Sequence, residues 1–203
     1  DTTTNEPEGP EELAAGLKDV GCRYVEAPIT GGVKQAKDGV LGAIVGCDET
    51  DFVQAKELLG GFCKQVERFG SVGLGVRAKL VSNFLALGTA TLVIETFKQA
   101  RSLRVDWKKL YELAQLGSGN STGLQRIVGA ALNEDYCGYV FTIRNTVKDF
   151  SYICKLSDDH GEGSNLAPVM KAIYERALSE GYGDRLLSEL LDPALGDDHS
   201  EEV

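Results

Sequence analysis

A lysine and an asparagine stand at a spacing that suits proton transfer. Lys79 and Asn83 are four residues apart in the stretch GLGVRAKLVSN, residues 73–83. On an α-helix such side chains share one face, so the amide could orient a group on which the amine acts. A lysine withdrawn from water can exchange protons near neutral pH, as acid–base chemistry on a hydroxyl or carbonyl requires. An ordinary lysine on a solvated helix face is the alternative that spacing leaves open.

A second candidate is the glycine-rich stretch EAPITGG, residues 26–32. The backbone N–H groups of Gly31 and Gly32 can approach a ligand closely, and the hydroxyl of Thr30 adds a donor. An anionic group such as a carboxylate could bind there. A plain loop after a strand explains the same residues, because proline and glycine are common at strand ends.

A third candidate is the sequence Lys148-Asp149-Phe150, within the amphipathic stretch 140–155. Neighbouring side chains project about 100° apart on a helix. We therefore expect Lys148 and Asp149 to have separate partners and not to pair with each other. The spacing alone assigns them no function.

The turn GLGVRA, residues 73–78, also resembles a dinucleotide-binding fingerprint, with Glu95 about 20 residues further on to bind a ribose. That interpretation requires a strand at residues 92–95. Apolar residues instead recur every three to four positions from Leu80 to Ile94, which favours one long helix.

The elements that would position these residues change character along the chain. The first part alternates, with predicted helices at 10–20 and 51–59 and predicted strands at 22–27, 41–45 and 65–69. The second part predicts only helices, at 76–103, 106–116, 123–131, 140–155 and 168–179. We therefore predict an α/β region at 1–72, an all-helical region at 73–195 and an acidic tail at 196–203.

Composition excludes several classes of function. A formal net charge of −10 argues against nucleic acid as a partner, and no uninterrupted apolar run approaches the roughly 20 residues that span a bilayer. Five cysteines without a CxxC pair fit reduced thiols in an intracellular protein, and we expect a cytoplasmic one. Two histidines argue against a histidine-rich metal site, and the only methionine, Met170, suggests that the natural start precedes Asp1.

The order of the motifs resembles the β-hydroxyacid dehydrogenases of the 3-hydroxyisobutyrate dehydrogenase and tartronate semialdehyde reductase type. Residues 26–41 resemble the family's substrate signature DAPVSGG…A..GTL, and residues 70–83 resemble its catalytic signature G..G.G...K..NN. Residues 148–150 are similar to its KDL, and residues 1–7 to its D.ST..P segment. The resemblance covers nearly all of the chain except the acidic tail.

The resemblance implies a two-domain enzyme that transfers hydride between NAD or NADP and a small β-hydroxy acid, such as 3-hydroxyisobutyrate, or a semialdehyde. This chain would hold an α/β remnant of the Rossmann-like domain, joined by a long helix to an all-α domain that mediates homodimerisation. The glycine-rich turn that opens the family's Rossmann domain is not found in this sequence. We therefore expect the chain alone to be inactive.

The resemblance also implies a role for each site residue. Lys79 would be the catalytic acid/base, Asn83 would hold the substrate, and residues 30–32 would bind the substrate carboxylate. Lys148 would reach the nicotinamide cofactor, and no metal is implied. Glu26, Thr30 and Ser82 stand where the signatures have aspartate, serine and asparagine. These differences bear on the substrate and not on the class of reaction. A non-catalytic dimerisation module is the alternative function.

Overall fold

A computed structural model describes residues 1–6, 8–159, 161 and 163–197. Pro7, in the segment 1–7 that is similar to D.ST..P, and residues 198–203 of the predicted acidic tail lie outside the described residues. The elements are α1 (Gly9–Asp19), β1 (Ile29–Thr30), α2 (Val33–Lys37), β2 (Leu41–Gly46), α3 (Glu49–Leu59), β3 (Cys63–Gly70), α4 (Leu74–Ser102), α5 (Trp107–Leu116), α6 (Thr122–Ala131), α7 (Ile143–Asp159), α8 (Ala167–Ser179), a 3-10 helix (Leu187–Leu191) and α9 (Ala194–Asp197).

The chain divides into two compact units. The first contains Asp1–Asn83 and Tyr152–Gly163, and the second contains Phe84–Ser151 and the chain from Ser164 onward. The helix α4 contributes to both units, since its first part, through Asn83, belongs to the first.

The first unit is built on a small sheet in the order β1-β2-β3. Strand β2 pairs antiparallel with β1 and parallel with β3. Its last four residues are all buried, as the apolar sequence AIVG indicates for a strand covered on both faces. The core of this unit consists of Ala27, Ala43, Val45, Cys47, Leu59, Cys63 and Val66. The predicted strands at 41–45 and 65–69 are confirmed.

The strand predicted at 22–27 is wrong. Only Glu26 in this stretch forms a bridge, with Gly46, and the strand proper lies at Ile29–Thr30. Further backbone hydrogen bonds run from the Asp1 amine to the Val25 carbonyl (2.9 Å) and from the Ala27 N–H to the Asp1 carbonyl (2.7 Å). The stretch is therefore extended, but it pairs with single residues, Gly46 on one side and Asp1 on the other, which is too few for a β-ladder.

Helix α4 runs unbroken from Leu74 to Ser102. Residues 92–95 lie in its interior, so the strand that a dinucleotide turn at residues 73–78 would require does not form. That alternative is therefore wrong. Among the described residues, α4 is long and apolar enough to cross a membrane by length and composition, with 44% of its most apolar stretch buried in the protein. Core helices of soluble proteins meet the same condition. The absence of a membrane partner thus stays a prediction.

The second unit is helical and has an aromatic core. The ring of Phe150 stacks on Tyr174 with centroids 6.0 Å apart and meets Phe84 edge-on at 6.2 Å. The Tyr174 hydroxyl is 2.8 Å from Thr91 Oγ1, and both groups are buried. Helix α7 begins at Ile143, three residues later than the pattern predicts.

Candidate active site

The first turn of α4 is held by a side chain from a distant part of the sequence. The Gly75 N–H donates to Glu26 Oε1 at 2.7 Å, and the Val76 N–H donates to the same oxygen at 3.4 Å. A Cβ on Gly75 would lie 2.7 Å from the Gly46 nitrogen and 3.0 Å from the Ile44 carbonyl oxygen. Gly75 is therefore a glycine because the helix packs directly on the backbone of β2.

Lys79 lies one turn after Gly75 on the same face of α4. It is 8% exposed, so it is not the solvated surface lysine that spacing left open. Asn83 follows one turn later and is half-buried. The expected shared face thus exists, and both side chains belong to the first unit.

Glu26 is 1% exposed, and burial raises the pKa of its carboxyl group above the ordinary value. Hydrogen bonds from the backbone of Gly75, Val76 and Gly73 act in the opposite direction, while the charge of Glu11 raises the pKa further. Burial is the largest of these effects. The second oxygen of the Glu26 carboxyl group, Oε2, is buried without a hydrogen-bond partner in the structure.

The turn at residues 30–32 has the backbone geometry that its glycines suggest. Gly31 has φ +114°, a conformation that favours glycine, and a Cβ there would lie 2.9 Å from the side chain of Leu41. Thr30 ends β1, opposite Gly42, and is exposed. The Gly32 N–H donates to Gln35 Oε1 at 3.0 Å, so an amide oxygen takes the place that we expected for a carboxylate oxygen.

A shallow cavity adjoins this turn. Thr30 and Gly31 line it together with Gly42, Lys64 and Gln65. Lys64 was not marked by the sequence motifs, and its cationic side chain on β3 is the kind of group that attracts a carboxylate.

Lys148 and Asp149 do pair with each other, contrary to the sequence expectation. Lys148 Nζ lies 3.3 Å from Asp149 Oδ1, with the lysine side chain 41% exposed and the aspartate 2%. The prediction from projection angles was wrong because the lysine side chain is long and flexible enough to fold back toward its neighbour. The adjacent Phe150 is fully buried in the aromatic core, which fixes this part of α7 in the second unit.

The comparisons with known proteins cover both units. The model for the NAD-binding domain of NADP-dependent 3-hydroxyisobutyrate dehydrogenase matches residues 73–194, more than half of the chain. The model for the NAD binding domain of 6-phosphogluconate dehydrogenase matches residues 1–73. The chain belongs to the β-hydroxyacid dehydrogenase family. This is a family of NAD(P)-dependent hydroxyacid dehydrogenases, and NAD or NADP is its cofactor.

Individual members of the family show how much of the chain is shared. The human mitochondrial 3-hydroxyisobutyrate dehydrogenase is 34% identical over 119 residues, which are 59% of this chain and 35% of that protein. A probable 3-hydroxyisobutyrate dehydrogenase-like protein of Arabidopsis thaliana is 30% identical over 184 residues, or 91% of this chain and 54% of that protein. The chain thus spans between about a third and about half the length of these curated relatives.

Solved structures of the family confirm the fold class. The 3-hydroxyisobutyrate dehydrogenase of Mycobacterium tuberculosis, solved with L-serine, superposes with a TM-score of 0.83 at 22% identity and covers 94% of this chain and 67% of that one. The Salmonella typhimurium enzyme gives 0.83 at 21% identity, with the same coverage. The predicted α/β remnant of a Rossmann-like domain, followed by a helical domain, is therefore confirmed.

The start of α4 does not suit the pyrophosphate of a dehydrogenase cofactor. The N–H groups of Gly75 and Val76 already donate to Glu26, so they are not available to phosphate oxygens. Of the glycines in the catalytic signature, Gly75 serves the packing of the helix on β2. In the described residues no group of histidine, cysteine or acidic side chains could hold a metal.

The sequence motifs missed three residues that organise the site. Glu26 holds the first turn of α4, Gln35 occupies the Gly32 N–H, and Lys64 lines the cavity beside Thr30. A partial signal existed for Glu26, because an acidic residue stands at this position of the family's substrate signature. No comparable signal marks Gln35 or Lys64, since their roles depend on how α2 and β3 are placed.

Proposed function

We propose that this chain provides the substrate-binding and proton-transfer residues of an NAD(P)-dependent dehydrogenase of small β-hydroxy acids such as 3-hydroxyisobutyrate. The observation that carries the proposal is Lys79, a lysine 8% exposed, one turn before Asn83 on a helix whose start is held in place. The family of the chain supports the class of reaction. A semialdehyde is the substrate of the reverse direction.

In this proposal Lys79 exchanges a proton with the substrate hydroxyl. During oxidation the hydroxyl proton moves to a neutral Lys79 Nζ while hydride leaves the same carbon and a carbonyl forms; during reduction the proton returns. The bound nicotinamide cofactor supplies the hydride acceptor or donor. Asn83, on the same helix face, positions the substrate oxygen for this transfer.

The substrate carboxylate is proposed to bind the turn at residues 30–32. The Thr30 hydroxyl and the backbone N–H groups of the turn are suitable donors, and Lys64 beside the cavity adds positive charge. Gln35 must release the Gly32 N–H before a carboxylate oxygen can accept from it. Lys148 is proposed to contact the cofactor, with the neighbouring Asp149 limiting its movement.

The test is the chain joined behind the nucleotide-binding half of the human relative. We expect NAD(P)-dependent oxidation of 3-hydroxyisobutyrate, with kcat lowered about 10²- to 10⁴-fold by Lys79→Ala. Lys98→Ala is the matched control, since Lys98 lies on the same helix with a half-exposed side chain, and it should keep full activity. Equal activity of Lys79→Ala and the unmodified fusion would refute the role of Lys79.

We also propose that the chain alone lacks tight nucleotide binding. Glu26 accepts from the glycine-rich turn that precedes Lys79, and Gln35 accepts from the Gly32 N–H in the glycine-rich turn that precedes α2. Titration calorimetry of the 203-residue chain with NAD and with NADP should show no tight binding. Tight binding of either nucleotide would contradict the proposal that the chain is only part of a dehydrogenase.

A homodimer through the helical domain is a second proposal, with or without catalysis. Helices α4 and α8 expose large apolar side chains within the second unit, among them Leu85 (73% exposed), Leu92 (67%) and Val169 (60%). Exposed apolar groups of this kind favour association with another protein surface. Sedimentation velocity should show a dimer that Leu85→Asp converts to monomer. A monomer at all concentrations would remove this proposal.

A further inference from the structure

Glu26 reaches from the end of one extended segment to the start of another element 49 residues later. We infer that Glu26 is a positioning residue of the proposed active site: its carboxyl group fixes the first turn of α4 and thereby the place of Lys79. This inference rests on the proposed role of Lys79. It adds a residue whose function is to hold the catalytic lysine and not to touch the substrate.

The first argument is that the start of α4 depends on a cap from elsewhere. The first N–H groups of a helix have no partner within the helix, and usually a polar side chain just before the helix accepts from one of them. Here the residue before Leu74 is Gly73, which has no side chain. Glu26 Oε1 instead accepts from Gly75 and Val76.

The second argument is that the packing leaves no free space between Glu26 and the helix. A Cβ on Gly46 would overlap the Glu26 carboxyl group, and a Cβ on Gly75 would lie 2.9 Å from Glu26 Oε1. The carboxyl group therefore occupies space that is open only because both neighbours are glycines. A shift of Glu26 must move the helix start with it.

The third argument concerns the direction of the lysine side chain. Side chains of an α-helix lean toward its N-terminus, so the side chain at Lys79 lies over the turn that contains Gly75 and Val76. These are the residues whose N–H groups Glu26 accepts. Fraying of that turn would expose the side chain of Lys79, a residue that is 8% exposed in the intact structure.

A second, weaker tie holds the same turn. Arg77 donates to Glu11 on α1 at 2.9 Å, with side chains 34% and 49% exposed. The carboxylate of Glu11 also lies where a Cβ on Gly73 would be. Since exposed ion pairs contribute little, Glu26 is expected to carry most of the positioning.

The experiment compares Glu26→Asp and Glu26→Gln in the 203-residue chain. Aspartate is one methylene too short to reach the Gly75 N–H, whereas glutamine keeps an oxygen at the right distance. In Glu26→Asp we expect hydrogen exchange at the Gly75 and Val76 amides to rise about 5- to 30-fold. Labelling of Lys79 by an amine-selective reagent, read by mass spectrometry over a series of pH values, should rise by a similar factor, since the same local opening limits both.

Glu26→Gln should restore most of the protection at both amides and at Lys79. Glu67→Asp on β3 is the matched control because Glu67 is exposed in the same unit, and it should change neither readout. Unchanged exchange and labelling in Glu26→Asp would overturn the inference, as would a rise spread evenly over all amides of the unit. If Glu26→Asp does not fold, the labelling of Lys79 is compared in Glu26→Gln and Glu26→Ala. The inference is also overturned if the two variants depart from the unmodified chain by the same amount, because the glutamine oxygen would then restore nothing.

Neither readout uses substrate or nucleotide, so the result is independent of whether the fusion oxidises hydroxy acids. An inactive fusion with a Glu26-dependent Lys79 would remove the proposed reaction and keep the positioning role. An active fusion with a Lys79 that is insensitive to Glu26→Asp would keep the reaction and remove Glu26 from it.

Discussion

The two compact units bury different kinds of side chain. The first unit buries the charged residues Glu26, Lys79 and Asp51, which are 1%, 8% and 7% exposed. The second unit buries aromatic rings, with Phe150 at 0% and Tyr174 at 1%, and of the described charged residues it buries Asp149, at 1%. Buried ionisable groups are unfavourable unless they are held by hydrogen bonds or opposite charges, so they persist where they have a role.

This difference indicates that the buried side chains have different roles in the two units. In the first, Glu26 is satisfied on one oxygen by two backbone N–H groups, and Asp51 is paired with Arg23 at 2.6 Å. These contacts hold the elements that carry the candidate chemistry. In the second, the aromatic core holds helices together, and Asp149 is the buried carboxylate, next to Lys148. We therefore expect stability changes to be largest in the second unit and local changes at Lys79 to come from the first.

The largest expected effect is that of Phe150→Ala. Removing a fully buried ring that stacks on Tyr174 and meets Phe84 should lower the free energy of unfolding by about 3–5 kcal/mol. Urea denaturation followed by circular dichroism measures this loss. Leu113→Ala, at a residue 67% exposed on α5, is the control and should stay within about 0.5 kcal/mol of the unmodified chain. A similar small change for both variants would show that the aromatic core does not hold the second unit.

The next effect tests how tightly α4 packs on β2. Gly75→Ala places a Cβ 2.7 Å from the Gly46 nitrogen, so backbone must move, and overpacking of this kind lowers stability by about 1–3 kcal/mol. Gly16→Ala on α1 is the matched control, because a Cβ there meets nothing within 4 Å. That change should instead stabilise by about 0.5–1 kcal/mol. Opposite signs in thermal unfolding support the packing, and a neutral Gly75→Ala would contradict it.

Much of this architecture was predictable because its signals are local. The alternation at 41–45 and the long apolar period from Leu80 onward depend on neighbours in sequence, and both elements form as predicted. The prediction of a strand at 22–27 was wrong because strand pairing depends on neighbouring segments that are distant in sequence. The role of Glu26 was out of reach for the same reason, since its partners are 49 and 50 residues away. The Lys148–Asp149 pair failed because side-chain flexibility overrode the projection angle.

A smaller effect is expected at the polar contact inside the aromatic core. Burial raises the pKa of Tyr174, so its hydroxyl remains a neutral partner of Thr91. Tyr174→Phe removes this bond but leaves Thr91 Oγ1 donating to the Leu87 carbonyl at 2.7 Å, so we expect a loss of about 0.5–1.5 kcal/mol. In a Thr91→Val background the same change should be nearly neutral. An equal loss in both backgrounds in urea denaturation would show that the ring environment matters and the bond does not.

The smallest effect is the pH dependence that Glu26 gives to the first unit. Burial, with Glu11 nearby, raises the pKa of Glu26 above 4.5, so folding favours the neutral carboxyl group. This contribution to stability is fully present below pH 4.5 and is lost as the pH rises through the raised pKa. The backbone hydrogen bonds lower the pKa and so partly oppose the effect of burial. As the pH rises from 4.5 through the raised pKa, the urea midpoint of unfolding should fall less in Glu26→Gln than in the unmodified chain. Glu67→Gln should leave this pH dependence unchanged. A midpoint that rises with pH only when Glu26 is present would reverse the sign and show that the hydrogen bonds outweigh burial.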